Sequence, residues 1–289
     1  MNQQPTNLTF TTRAGEIAAL EWGAGNSRLI LALHGWLDNA ASFCQLAPLL
    51  AEHDYHIIAI DFPGHGLSHH RAAGHSYAFI DYVLDLQEII EQLTQPLILL
   101  THSMGAAIAS MYTAAYPEAI EQLILIENLG AIPPYLPGTA TTVLRQGLDS
   151  WQNHSLEHQR FYPTVEHAIK ARQKATPMAT EVLRPLVARG LNRTLQGFNW
   201  RTDKRLRLES LVRLSEEQIQ EFLSAIKVPT QLIVAEPLSY AMDYPALDAR
   251  IKALNPQQID RLKGNHHLHM TEAKAVAERI MAFLAAQEK

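Results

Sequence analysis

Leu97-Ile98-Leu99-Leu100-Thr101-His102-Ser103-Met104-Gly105-Ala106-Ala107-Ile108-Ala109 carries a short apolar run through one polar turn into a stretch of small residues, and a serine stands at the turn. Residues 96–100 fit a strand covered on both faces, and residues 104–115 are rich in helix formers, so the joint between them is sharp. A sharp strand-to-helix turn lifts a serine hydroxyl clear of the sheet. There a histidine can approach from one side and a substrate carbonyl from another, beside the partial positive charge of the helix N-terminus. Such a nucleophile elbow usually reads Gly-x-Ser-x-Gly, with small residues two before and two after the serine so that helix and strand pack closely. Thr101 occupies the first glycine position and adds bulk there, whereas Gly105 and Ala106 keep the helix side small. Five residues alone fit a plain turn as well, so the reading rests on the surrounding chain.

Outward from the elbow, apolar runs that read as buried strands alternate with amphipathic stretches that read as helices. Residues 29–33 end in His34-Gly35-Trp36, and residues 56–60 end in Asp61-Phe62-Pro63-Gly64-His65-Gly66. Residues 123–126 end in Glu127-Asn128-Leu129-Gly130, residues 231–234 precede Glu236, and residues 258–262 lead to Gly264-Asn265-His266-His267-Leu268-His269. Helices are expected at 41–51, 245–254 and from 271, the last turning Val276, Ile280, Phe283 and Leu284 inward. A further helix should bury Ile80, Val83, Leu86, Ile90 and Leu93. Residues 8–13 and 17–22 suggest an antiparallel hairpin. Strands and helices in alternation predict an α/β fold with a mostly parallel sheet and helices on both faces.

The alternation stops near residue 131 and resumes near 228, which divides the chain into a core of residues 1–130 and 228–289 and an insertion of residues 131–227. The insertion should hold helices at 141–151, 165–174, 180–189 and 215–226, with breaks at Pro133-Pro134, Pro137-Gly138, Pro163 and Gly190. Because it leaves and rejoins the sheet beside the strand ends, it is expected to form a cap over them. Between Arg145 and Arg213 there are 13 Lys or Arg against six Asp or Glu, in a chain of net charge −5. That excess would favour substrates carrying a carboxylate or phosphate, unless the side chains are simply solvated.

Composition narrows the function classes. A 289-residue chain with 47% hydrophobic and 18% charged residues is ordinary for a globular protein with a sizeable core. No basic stripe interleaved with aromatics speaks for nucleic acid. The single cysteine, Cys44, allows no internal disulfide. Residues 1–15 lack the pattern of a signal peptide, and no apolar run approaches the roughly 20 residues of a membrane span, so a cytoplasmic protein is expected.

The polar clusters all fall at C-terminal strand ends, the edge where parallel open sheets bind ligands, so they can converge. In His34-Gly35-Trp36, Asp61-x-Pro63-Gly64-His65-Gly66-x-Ser68, Thr101-His102-Ser103-Met104-Gly105 and Gly264-Asn265-His266 the chain resembles the α/β-hydrolase superfamily along nearly its whole length. More narrowly it resembles the serine hydrolase-like family, through His34-Gly35-Trp36-Leu37-Asp38, Trp200-Arg201-Thr202-Asp203-Lys204-Arg205-Leu206 and Gly264-Asn265-His266-His267-Leu268-His269.

The resemblance and the chemistry together make Ser103 the nucleophile and His266 the base, with an oxyanion hole formed by the backbone N–H groups of Trp36 and Met104. His267 and His269 read as packing or supporting residues, and His102, His65 and the Asp61 turn as structural. The acid is less defined. In most relatives it follows the strand at 231–234, but Leu238 stands at that position, with Glu236 and Asp243 nearby. A second arrangement in the superfamily puts it after the preceding core strand, where Glu127 stands, and Glu127 is favoured. The expected activity is that of a carboxylesterase-type enzyme acting on small esters, without cofactor or metal, with a homodimer left open. Thioesterase, lactonase and carbon-carbon bond hydrolase chemistry share the same triad, and a catalytically silent binding protein shares the same fold. A serine at the elbow argues against the dehalogenases and epoxide hydrolases that use an aspartate nucleophile.

Overall fold

The computed structural model describes residues 4–131, 140–153 and 160–287. The chain opens with the hairpin β1 (Thr6–Thr12) and β2 (Gly15–Trp22), then runs through β3 (Arg28–Leu33), α1 (Ala47–Ala51), β4 (Tyr55–Ile60) and α2 (Asp81–Ile90). The elbow joins β5 (Leu97–His102) to α3 (Met104–Ala115), and β6 (Ile120–Ile126) follows. Next come α4 (Ala140–Asn153), α5 (Val165–Ala175), α6 (Thr180–Arg189), the small hairpin β7 (Leu191–Thr194) and β8 (Gly197–Trp200), and α7 (Glu216–Ala225). β9 (Thr230–Glu236), α8 (Leu247–Leu254), β10 (Gln258–Lys263), α9 (Leu268–Thr271) and α10 (Ala273–Ala286) complete the chain.

Eight strands form one sheet in the order β1-β2-β4-β3-β5-β6-β9-β10. The pairs from β4 to β10 are parallel, and only β1 and β2 run antiparallel to their neighbours. Strands such as Leu97-Ile98-Leu99-Leu100 are apolar at every position because helices cover both faces. On one face Leu31, Leu99 and Leu125 pack with Leu86 of α2, Ile108 of α3 and Leu223 of α7. On the other, Ile30, Ile98 and Ile124 pack with Leu50 of α1 and with Ile280 and Phe283 of α10. Among the described residues no helix is long and apolar enough to cross a membrane.

Several local expectations are corrected. The helix expected at 41–51 is two pieces, a 3₁₀ turn over Ala40–Phe43 and α1, because Asn39 caps the turn and Pro48 starts a new helix. α2 buries the expected face for the most part: Leu86 and Ile90 are buried, and Val83 and Leu93 pack partly buried against the core. Ile80, which precedes the helix, is exposed, and Tyr82, Asp85 and Ile89 are buried in addition. Arg71 pairs with Asp85 at 2.6 Å, and Tyr82 packs edge-on against Phe62. The β7–β8 hairpin lies where no strand was expected. The breaks at Pro133-Pro134 and Pro137-Gly138 lie outside the described residues.

The segment between β6 and β9 has a small apolar cluster of its own, in which Ala168, Ile169, Leu183, Leu186 and Val187 pack with Tyr162 and Leu191. It is tied to the strand-end loops by polar contacts. Asp203 N–H donates to Gly64 O at 2.9 Å, Asn39 Nδ2 to Leu186 O at 2.9 Å, and Arg189 pairs with Asp61 at 2.9 Å. α7 packs instead with the main core, through Ile219 and Leu223.

Part of the positive charge in this segment is paired. Arg172, Arg184, Arg189, Arg205 and Arg213 each pair with a carboxylate, and for Arg172 and Arg189 that carboxylate belongs to the sheet-edge loops. Those two pairs fasten the segment to the loops, whereas the other three lie within the segment and leave its charge excess unchanged.

Candidate active site

The elbow holds a strained residue in a rigid frame. Ser103 has φ 51° and ψ −116°, outside the ordinary wells of a non-glycine residue, at a cost of about 1–3 kcal/mol. The neighbouring hydrogen bonds impose it: Ser103 N–H donates to Ile126 O at 3.0 Å, and Gly105 N–H to His34 O at 3.1 Å. A Cβ on Gly105 would lie 2.4 Å from Leu33 O, a backbone atom that cannot move aside, so only glycine lets α3 cross β3 this closely. Thr101 fits because its wholly buried side chain turns toward β6, where the hydroxyl donates to Ile124 O at 2.7 Å.

Three chain segments from three strand ends meet at Ser103. His266 Nε2 lies 3.1 Å from Ser103 Oγ, and His266 Nδ1 lies 3.2 Å from Glu127 Oε2. Glu127 follows β6 directly, is fully buried and has φ 58°. Ala235 N–H donates to its Oε1 at 2.5 Å, and the Ser239 hydroxyl donates to its Oε2. With His266, three donors converge on a carboxylate shut off from water, the condition under which an ionised carboxylate can stay buried. Glu236 and Asp243 are exposed, and among the described residues neither contacts His266.

Ser239 went unnoticed in the sequence. The available signal was its position next to Leu238, where most relatives carry the acid: a hydroxyl at that strand end now supports an acid that comes from β6. Tyr240 was also missed, and its ring centroid lies 5.2 Å from that of His266.

The candidate oxyanion donors flank the serine. Met104 is the next residue, and Gly35 approaches so closely that a Cβ on it would lie 3.1 Å from Ser103 Cβ. Among the described residues the N–H groups of Met104 and Trp36 have no acceptor. The Trp36 indole is half exposed and donates to Leu206 O at 3.1 Å, with the Arg207 guanidinium 5.8 Å from its ring centroid.

His34, His65, His102 and His269 are buried and neutral. His34 accepts Phe62 N–H on Nε2 at 2.9 Å and donates from Nδ1 to Gly35 O at 2.7 Å, which fixes its tautomer; burial lowers its pKa to about 4. Asp61 completes that support, accepting Ala40 N–H at 2.7 Å and Leu67 N–H at 2.8 Å. Burial lowers His65 and His269 to about 3 and holds His102 well below the ordinary imidazole range. His102 Nε2–H donates to His266 O at 2.8 Å, so it steadies the loop of His266 without reaching Ser103. Among the described residues no three His, Cys, Asp or Glu side chains form a metal site.

These depressed values make an acid-stability prediction. In the unfolded chain the rings bind protons near pH 6.5, whereas in the folded chain His34, His65 and His269 do so only near pH 4 to 3. Below pH 6.5 the unfolded state therefore holds more protons, and stability present at pH 7 is lost as pH falls, by about 2 kcal/mol per ring at pH 5. Urea unfolding at pH 7 and pH 5 should show a clearly lower midpoint at pH 5; equal midpoints would mean that these rings are already charged in the fold.

Comparison with known proteins places the chain among proteins of the alpha/beta hydrolase fold. The family model described as the alpha/beta hydrolase fold matches residues 28–273. A serine hydrolase-like protein of Danio rerio is 31% identical, covering 94% of this chain and 86% of that protein. Serine hydrolase-like protein 2 of Homo sapiens is 28% identical, covering 96% and 94%. Among solved structures, a hypothetical protein from Pseudomonas aeruginosa PAO1 superposes with TM-score 0.89 at 36% identity, over 96% of this chain and 99% of that one. The thioesterase domain from the curacin biosynthetic pathway superposes with TM-score 0.83 at 26% identity, over 96% and 99%.

Proposed function

Since the chain belongs to the α/β-hydrolase fold family, we propose that it is a carboxylesterase-type serine hydrolase working through an acyl-enzyme on Ser103, His266 and Glu127. The observation that carries this reading is the unbroken line from Ser103 Oγ to His266 Nε2 at 3.1 Å and from His266 Nδ1 to Glu127 at 3.2 Å. Ser103 Oγ attacks the ester carbonyl while His266 Nε2 takes its proton; Glu127 accepts the Nδ1–H and stabilises the imidazolium. The developing oxyanion meets the N–H groups of Met104 and Trp36, each donor contributing about 3 kcal/mol in sites of this kind. The imidazolium then protonates the departing alcohol, and water, activated by the same ring, releases the acid and restores Ser103.

The segment between β6 and β9 acts as a lid in this scheme. Its contacts with Trp36, Asp61 and Gly64 support that role, and a lid over the strand ends would limit water at the acyl-enzyme. A thioesterase is the second reading, favoured by the 26% identity to the curacin thioesterase domain over nearly the whole chain.

Two measurements test the proposal together. A fluorophosphonate should label the purified protein at Ser103 with one-to-one stoichiometry, and matched acetyl oxoester and acetyl thioester substrates should be turned over with the oxoester preferred in kcat/KM. A protein that is not labelled and hydrolyses neither would be a binding protein on a hydrolase fold. Labelling with a clear thioester preference would select the second reading.

A further inference from the structure

Asp38 is a carboxylate the mechanism above does not use. It closes the turn after the candidate oxyanion loop, where Asp38 N–H donates to Gly35 O at 3.1 Å and Leu37 takes φ 63°. Its side chain is 1% exposed and carries two partners from distant parts of the chain. Arg172 of α5 donates to Oδ1 at 2.6 Å, and His267 Nε2, from the residue next to His266, lies 3.2 Å from Oδ2. Burial alone would raise the Asp38 pKa, but His267 and Arg172 outweigh it and hold the carboxyl well below the usual range, so the group is an anion. His267 N–H is held in turn by Asn265 Oδ1 at 2.8 Å, and His266 O by His102.

We propose that Asp38 is a positioning residue that bridges the oxyanion loop to the loop of His266, with Arg172 of the β6–β9 segment as its counter-charge. The oxyanion donor Trp36 comes from the end of β3 and His266 from the end of β10, and between them β5, β6 and β9 intervene in the sheet. The ladder fixes strand positions, not the loops beyond them, and transition-state stabilisation depends on those loops to a few tenths of an ångström. One buried carboxylate contacting both loops supplies that constraint. Because Arg172 neutralises it, the bridge is complete only when the segment between β6 and β9 is seated, so seating that segment and aligning the two loops become one event.

The bridge rests on the serine-hydrolase reading, so its test carries one readout of turnover and one that needs none. Asp38→Asn and His267→Leu should lower kcat for a neutral aryl ester by about 10²-fold with KM nearly unchanged, since misplacement by about an ångström costs that much in the transition state. His267→Gln, which keeps a donor toward Asp38, should recover most of the loss. In parallel, the low-field proton resonance of His266 Nδ1–H, assigned by its absence from His266→Gln, should broaden or shift in Asp38→Asn and His267→Leu and return in His267→Gln. The other charged and titratable groups facing Asp38 and His266 are His34, His65, His102, Tyr240, His269 and Glu127, and each is retained in all these variants. If the variants lost only melting temperature, with kcat and the resonance intact, Asp38 would be a structural ion pair and the proposal would fail. If the wild type neither labelled nor turned over ester, the hydrolase reading would fall, while the resonance would still decide whether Asp38 positions His266.

Discussion

Replacing Ser103 or His266 with alanine is expected to lower kcat for a short-chain aryl ester by at least about 10⁴-fold, and combining the two should lower it no further, because nucleophile and base act as one unit. The serine hydroxyl is inert until a base 3.1 Å away takes its proton, and His266 Nε2 is the imidazole nitrogen at that distance. Neither change should unfold the chain. The strained conformation at Ser103 is held by its own N–H donating to Ile126 O and by Gly105 N–H donating to His34 O, and alanine at 103 retains both. His266 packs among the rings of His102, Tyr240 and His267, which all remain when it is replaced. Circular dichroism and melting temperatures near wild type, with ester turnover close to background, are the expected pair of results. His267→Ala serves as the internal comparison and should be far milder than His266→Ala. A serine variant keeping most of its activity, or the reverse ranking of the two histidines, would remove these residues from their assigned roles.

Strand identity was legible because burial on both faces leaves a simple trace: the run Leu29 to Leu33 or Leu97 to Leu100 has no polar position, and the polar cluster that follows marks the edge of the sheet. The resulting parallel sheet, with helices on both faces, is the one observed. The full extent of a helix's buried face was less legible. α2 buries Tyr82 and Asp85 beside its apolar stripe, and their partners, Phe62 and Arg71, lie outside the helix. The β7–β8 hairpin is too short to have a period, and its pairing with Tyr162 O and N–H depends on a neighbour distant in sequence.

At the candidate site, the residues that follow a strand directly could be named as candidates from sequence, Ser103 and Glu127 among them. Contacts made across the fold could not. Asp38 and Arg172 are 134 residues apart, and nothing local to either marks it as half of a buried pair. The basic bias of the segment between β6 and β9 was visible, but its use was not. Paired with Asp38 and Asp61, Arg172 and Arg189 fasten that segment to the sheet, and a charge count cannot distinguish fastening from substrate attraction.

Glu127→Gln should lower kcat by about 10⁴-fold, in line with what an acid-to-amide change does to a Ser-His-acid triad. Two effects act in the same direction. The amide carries no charge, so the imidazolium formed as Ser103 attacks loses its counter-ion at a fully buried position. The amide NH₂ can also donate to His266 Nδ1, which leaves the ring proton on Nε2, facing Ser103, where it cannot accept the hydroxyl proton. The surroundings do not relieve this: Ala235 N–H and the Ser239 hydroxyl both donate to the Glu127 carboxylate, so they suit an anion and leave one donor facing the amide NH₂. Ser239→Ala removes a single donor and should fall between wild type and Glu127→Gln. Glu236→Gln and Asp243→Asn, at exposed positions without contact to His266, should stay within about twofold of wild type, as surface changes away from a site usually do. Measuring all four variants against one aryl ester separates the two arrangements of the acid known for this fold. If Glu127→Gln were mild and Asp243→Asn or Glu236→Gln severe, the carboxylate that serves His266 during turnover would come from the end of β9, and the loop after that strand would have to move to bring it there.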